Sequence, residues 1–279
     1  MSRNTTSVNK IQEIVLKLKR ATLAMCSKAG TGHINSSFSI AEILVTLYYG
    51  GILNVRPKEP EWRKRDRFIL SKGQASPILY CLLADLGFFP ESWCGEFNAP
   101  DAHFAVHLQN TVPGVELSTG SLGHGLGVAS GIALGLKLKR ELPLVWCLMG
   151  DAECYEGSVW EAATVASHNY LNNLVAIIDR NSLGATDFTE DMCSLEPLSK
   201  KWEAFGWNVV RMNGHNIGEL LLNFGNMRRR MNRQPTMFIC DTVKGNGIEF
   251  MENAPLWHAR TPSGEQFDKA MKELGGWVK

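Results

Sequence analysis

The chain holds seven cysteines, Cys26, Cys81, Cys94, Cys147, Cys154, Cys193 and Cys240, yet it lacks any C-x-x-C pair. It also lacks the cysteine–histidine spacing of a zinc site. Two of the seven sit inside apolar, strand-like runs, so the set reads as reduced and mostly buried thiols of a cytoplasmic protein. No apolar run reaches the length of a membrane span. The segment Met1–Lys10 is polar and has no signal-peptide core. An excess of one charge is missing too: 29 Lys and Arg stand against 28 Asp and Glu, a net charge of +1. That balance gives no electrostatic reason to expect nucleic acid or a membrane surface as partner. The one basic cluster, Arg228-Arg229-Arg230 with Arg233, falls near an expected helix end. It reads there as a solvated face favoured by the helix dipole, or, second, as a subunit contact. There is no linker, internal repeat or low-complexity tract. With 279 residues, 44% of them hydrophobic, one domain over residues 1–279 is the simplest organisation.

What is present is an alternation of apolar strands and helical patterns. A helical pattern with Ile11, Ile14, Val15, Leu18, Leu23 and Met25 stops at Gly30-Thr31-Gly32. Further helices are expected from Ile40 to Tyr49, Ser76 to Leu86, His124 to Arg140, Gly157 to Tyr170, Pro197 to Phe205 and Ile217 to Asn232. Strands are expected at Arg67 to Ser71, Leu144 to Met149, Leu174 to Asp179, Trp207 to Met212 and Thr236 to Asp241. This order argues for an α/β fold: an open parallel sheet with helices on both faces. Residues 88–119, with Pro90, Pro100 and Pro113, read as a long irregular stretch, and such stretches in compact chains usually carry function. Gly125, Gly127, Gly131 and Gly135 recur along one expected helix. Glycine costs helix stability, so their use suggests close packing of that helix against a neighbour.

Asp151 and Asn181 each follow an apolar strand, with an expected helix between them. They form a βαβ unit carrying two hard oxygen ligands at its carboxyl edge, where open parallel sheets bind ligands. An Asp or Asn in such a place is also common as a cap or turn residue. One carboxylate and one amide oxygen are too few to hold Mg²⁺ alone. They suit an ion that completes its octahedron with phosphate oxygens and water, and so point to a Mg²⁺–diphosphate cofactor.

The run Gly150-Asp151-Ala152-Glu153-Cys154-Tyr155-Glu156-Gly157-Ser158-Val159-Trp160-Glu161-Ala162-Ala163, then Asn173-Leu174, then Asp179-Arg180-Asn181-Ser182-Leu183, resembles the thiamine diphosphate motif of transketolases. The likeness is to split transketolases, built from two shorter chains, and runs from about Gly30 to about Pro262. It implies that thiamine diphosphate and Mg²⁺ bind here, with Asp151, Asn181 and the Leu183 carbonyl on the metal and the diphosphate over the start of the helix after Gly150-Asp151. Gly120 and Leu122 would touch the aminopyrimidine through their backbone. His33, in Ala29-Gly30-Thr31-Gly32-His33, matches a family histidine that contacts substrate and assists proton transfer. His107, six residues before Pro113-Gly114-Val115-Glu116, matches a second one; neighbouring His103 has the wrong spacing. His258, after Trp257, matches the histidine that reaches the diphosphate and the reacting centre. Lys244 either stabilises the same negative charge or is solvated. Glu156 and Glu161 match acidic positions near the subunit interface, where the first joins hydrogen bonds linking paired active sites; either could instead be a helix acid favoured by the dipole.

Three residues depart from the family pattern. Gln74, in Ser71-Lys72-Gly73-Gln74-Ala75, stands where the family has a histidine near the cofactor phosphates; it hydrogen-bonds but cannot be a cation. Ala152 replaces a glycine beside the expected diphosphate, and His124 replaces a glutamine. The resemblance also implies a missing half. The pyrimidine-binding domain, with the glutamate that activates the cofactor, would come from a second subunit, in an α₂β₂ assembly. The expected reaction moves a two-carbon ketol unit from a ketose donor to an aldehyde acceptor, with sugars or sugar phosphates as substrates. Two alternatives remain open: an acyl or ketol transferase of specialised biosynthesis with a non-standard donor, and a non-catalytic interaction subunit that retains the fold.

Overall fold

A computed structural model describes residues 6–229 and 232–276. Helix α1 (Val8–Ala29) opens where the Ser7 side chain accepts from the Lys10 N–H at 3.3 Å. It closes at Gly30, whose φ of 66° lets its N–H turn back to the Cys26 and Ser27 carbonyls. The helices that follow are α2 (Ile34–Phe38), α3 (Ala41–Tyr49), α4 (Ser76–Asp85), α5 (Gly125–Leu138), α6 (Gly157–His168), α7 (Thr189–Met192), α8 (Leu198–Ala204), α9 (Ile217–Gly225) and α10 (Glu265–Glu273). The strands are β1 (Arg67–Leu70), β2 (Val145–Gly150), β3 (Leu174–Arg180), β4 (Asn208–Asn213) and β5 (Thr236–Asp241). They form one parallel sheet in the order β1-β2-β3-β5-β4.

The alternation of strand side chains divides the core in two. Trp146, Leu148, Val175, Ile177 and Phe238 enter a cluster with Ile11, Leu44, Leu79, Phe224 and Met271, under α1, α3, α4, α9 and α10. Val145, Cys147, Ala176, Ile178 and Ile239 enter a second cluster with Leu126, Val159, Leu198 and Trp202, under α5, α6 and α8. Both faces are therefore covered, which is why these strands read as continuous apolar runs.

The cysteines are all free, with Cys193 exposed and Cys94 half-buried. Among the described residues, no helix is long and apolar enough to cross a membrane. Arg228 pairs with Asp66, while Arg230 of the same basic cluster lies outside the described residues.

Several expectations need correction. Helix α9 ends at Gly225 and gives way to a tight turn at Met227–Arg229; the expected helix ran on to Asn232, past residues that are not described. The close-packed glycine helix is also not what forms. A Cβ on Gly127, Gly131 or Gly135 would meet nothing within 4 Å. The buried side of α5 is built instead from Leu126, Ala129, Ala133 and Leu136, so within this chain the glycines face open space. Of the four, Gly125 alone is tightly seated, with a Cβ position 2.4 Å from Ser71 Oγ.

The irregular stretch at 88–119 holds one tight helical turn, Glu91–Glu96. It is fastened by aromatic side chains: Phe104 stacks on Tyr80 at 4.3 Å, and Phe89, Phe97, Leu108 and Val112 are buried. The Tyr80 hydroxyl donates to the His107 carbonyl at 3.2 Å. A rigid helix thus fixes the backbone that carries His107.

Candidate functional site at the carboxyl edge of the sheet

The carboxyl ends of β1, β2, β3 and β5 open into one cleft of about 220 Å³. It is lined by His33, Gln74, His107, Gly120, Leu122, Gly150, Asp151, Ala152, Asn181, Leu183, Lys244 and His258. Segments from across the whole sequence converge there. The rings of His33 and His258 meet edge-on with centroids 5.3 Å apart, and those of His33 and His107 lie 6.2 Å apart. Gly120 allows this crowding, since a Cβ there would come within 2.9 Å of the His107 ring.

Glu156 is the exception among the expected residues. It is exposed, precedes α6 and does not line the cleft, so contact with the reacting atoms is not open to it within this chain. Gly123 packs on it, with a Cβ position 2.5 Å from Glu156 Cβ at a φ of +81°. Glu161 and His124 lie in an open groove between α5 and α6. Of the three departures, then, Gln74 and Ala152 face the cleft and His124 does not. The helix after Asp151 begins at Gly157, as expected, and a tight turn at Asp151–Tyr155 comes before it.

The oxygen atoms expected to hold a metal are each held in place by hydrogen bonds. Asp151 is 1% exposed. Its Oδ2 accepts from the Ser182 N–H at 2.7 Å and from Arg180 at 2.9 Å, and its Oδ1 accepts from the Ala152 N–H at 2.9 Å. Burial, with the nearby charge of Asp179, holds this carboxyl above its ordinary range, against the pull of Arg180 and the Ser182 amide. Such a group gains from a further cation. The Asn181 amide donates to Asp179 Oδ2 at 2.9 Å, which fixes its oxygen as the atom left to accept, here from the Leu183 N–H at 3.1 Å. The Leu183 carbonyl already receives a positive group: Lys244 donates to it at 3.0 Å and to the Gly184 carbonyl at 2.8 Å. No group of three or more His, Cys, Asp or Glu side chains suited to a metal occurs among the described residues.

The histidines supply a second test of fit. His33 Nδ1 and His258 Nδ1 are buried polar atoms without a partner among the described residues, and buried polar groups are usually satisfied. Burial, reinforced mainly by His107 for His33 and by Lys244 for His258, lowers both rings to about 4. Both are therefore neutral near pH 7 and able to exchange a proton. Burial and Lys72 together lower Lys244 to about 8. Donor atoms, orphaned nitrogens and cations together fit a polyanionic cofactor with a bound divalent ion.

Two cleft residues, Glu153 and Lys72, and the buried Asp179 behind them escape a reading of the sequence. Glu153, 1% exposed, accepts from Ser71 Oγ at 2.6 Å and from the Gly123 and Gly150 N–H groups at 2.9 Å each. Burial holds it above its ordinary value despite those bonds. Lys72 and Asp179 form a buried ion pair, 2% and 0% exposed at the side chain, and Ser39, Thr242 and Asn181 also donate to Asp179. A Glu three residues past a strand-end glycine was a usable sign for Glu153. The Lys72–Asp179 pair had none, because its partners lie far apart in sequence.

Known proteins bear on this geometry. The family described as "Transketolase, thiamine diphosphate binding domain" matches residues 11–278. One of the subunits of the apulose-4-phosphate transketolase of Phocaeicola vulgatus is 37% identical over 258 residues, covering 92% of this chain and 91% of that one. A 6-deoxy-6-sulfo-D-fructose transketolase subunit of a Clostridium species is 36% identical over 259 residues, 92% of this chain and 93% of that one. The crystal structure of transketolase from Campylobacter jejuni superposes with a TM-score of 0.91 at 27% identity, covering 97% of this chain but 43% of that one. This chain therefore spans less than half the length of that enzyme. By sequence and fold alike, the chain belongs to the transketolase family and carries that family's thiamine diphosphate-binding domain.

Proposed function

We propose that this chain, as a single domain, is the diphosphate- and Mg²⁺-binding subunit of a two-component, transketolase-like enzyme that moves a two-carbon ketol unit from a ketose to an aldehyde. The carrying observation is convergence: the oxygens of Asp151, Asn181 and Leu183 share one cleft with His33, His107 and His258. When bound, thiamine diphosphate supplies the carbon nucleophile and electron sink that such bond cleavage needs. The chain's own residues do the rest. Asp151, Asn181 and the Leu183 carbonyl hold the metal, and Gly120 and Leu122 flank the cofactor's ring through their backbone. Lys244 offers positive charge to the phosphates. His33 and His258, neutral at working pH, give and take protons at substrate oxygens, and His107 orients the substrate. Glu156, outside the cleft, serves an interface.

The matched P. vulgatus chain, itself named as one subunit, has nearly this length, while the whole enzyme from C. jejuni is more than twice as long. Both facts support a second chain carrying the pyrimidine-binding domain; the proposal further has the two chains assemble as α₂β₂ in the cytoplasm. Capture of the tagged chain from its own cells, with Mg²⁺ and thiamine diphosphate present, tests this by mass spectrometry. A stoichiometric partner with a pyrimidine-domain sequence is expected; recovery of the chain alone overturns the two-component reading.

Gln74 and Ala152, both on the cleft wall, favour a second reading, a specialised transferase with a non-standard donor. In that case Gln74→His in the assembled enzyme raises turnover of sugar-phosphate donors. No gain removes the support that Gln74 lends to this alternative.

A further inference from the structure

The Thr242–Gly247 loop that carries Lys244 is tied near both ends, through one bridging side chain each, to a single buried carboxylate. His215, between β4 and α9, lies with Nε2 2.8 Å from the Val243 N–H. A backbone N–H can only donate, so Nε2 accepts and the ring is neutral with its proton on Nδ1. That proton is directed to Glu42 Oε2 at 2.9 Å. Glu42, on α3, is 3% exposed, and its other oxygen accepts from Lys19 of α1 at 2.9 Å. The same Lys19 ammonium donates to Asn246 at its carbonyl, 3.1 Å, and its side-chain oxygen, 2.7 Å. Burial works against the Glu42 charge, but Lys19 and His215 hold its carboxyl below the ordinary value. Lys244 sits between the two tied points, with its ammonium on the Leu183 and Gly184 carbonyls.

We infer that Lys19, Glu42 and His215 form a clamp of positioning residues that sets the Val243–Asn246 backbone and so aims Lys244 into the cofactor cleft. This rests on the reading above, in which Lys244 faces the cofactor's phosphates. Neither Lys19, Glu42 nor His215 lines the cleft, so the clamp acts through the loop alone. Its physical basis is the shared carboxylate. Glu42 fixes the imidazole tautomer that the Val243 amide requires and holds the ammonium that seats Asn246, in the way outer-shell partners orient ligating groups.

A double-mutant cycle separates positioning from general stability. The full chain, assembled with its partner subunit, is titrated with Mg²⁺ and thiamine diphosphate by calorimetry, and urea unfolding is followed in parallel. Lys244→Met is expected to weaken cofactor binding by about tenfold, and His215→Phe by a similar factor. In the Lys244→Met background, His215→Phe is expected to change affinity less than about twofold, because the group it positions is gone. His215→Gln, whose side-chain oxygen reaches the Nε2 position, restores most of the affinity. Lys19→Met, which frees the Asn246 end, repeats the test should the phenylalanine variant fail to fold. An equal loss in both backgrounds, or no loss from His215→Phe, overturns the clamp while leaving the functional reading intact. No loss from Lys244→Met overturns the assignment of Lys244 itself, and the inference falls with it.

Discussion

At the scale of single residues, Asp151 carries the sharpest expectation. Asp151→Ala removes the carboxylate proposed for the metal and also strips Arg180 of a buried partner, although Glu190 and Glu196 remain on that guanidinium. Binding of Mg²⁺–thiamine diphosphate should fall by at least about tenfold. Stability should drop by about 3 kcal/mol or less, since part of Arg180 stays paired. Unchanged activity of the assembled enzyme would mean that the metal site is misassigned, and a non-catalytic role for the chain would become the better reading. His33 and His258 make a second prediction, about pH. Both have folded-state values near 4, below the ordinary histidine value of about 6.5. Between those values the unfolded chain binds more protons than the folded one, so stability is full above about pH 6.5 and declines as pH falls toward about 4. Urea midpoints measured across that window should show a shallower slope in His33→Asn and His258→Asn than in the parent chain; equal slopes would mean that these rings are not held neutral by the fold.

At the scale of elements, the parts legible in the sequence are those whose signal is local. The β2 and β3 strands read correctly because both faces are covered and every residue is apolar until the functional end. The strand after Gly206 was legible for its β-branched Val209 and Val210. Asp151 and Asn181 were legible as residues of the cleft because a βα unit announces its carboxyl edge. Helices α2, α7 and α10 were not read, the first two being very short and the third mostly polar. The glycines of α5 misled because cost alone does not say which side of a helix they occupy. The Lys72–Asp179 pair was invisible for a different reason, namely that its role exists only once distant segments meet. That pair yields a prediction at this scale. Lys72→Met leaves Asp179 as a buried carboxylate without its cation, a change of about 3–5 kcal/mol in systems of this kind. Because Asp179 also holds the Asn181 amide, the loss should appear both in urea unfolding and in metal affinity. A variant as stable as the parent would show that Ser39, Thr242 and Asn181 suffice to hold Asp179.

At the scale of the whole molecule, the cleft is assembled from nearly the full span of the chain rather than from one motif. His33 follows the first helix and His258 precedes the last, yet their rings touch. Arg20 of α1 reaches the Leu274 carbonyl beyond α10 at 2.7 Å, so the two ends are joined behind the site as well as within it. A cofactor seated between His33 and His258 would bind only the state in which both ends are closed, and its binding energy would add to the work of separating them. Local fraying at either end, ordinarily the cheapest motion a chain has, would then become a motion of the whole. Loading the cleft should therefore turn a protein that opens piecemeal into one that opens all at once.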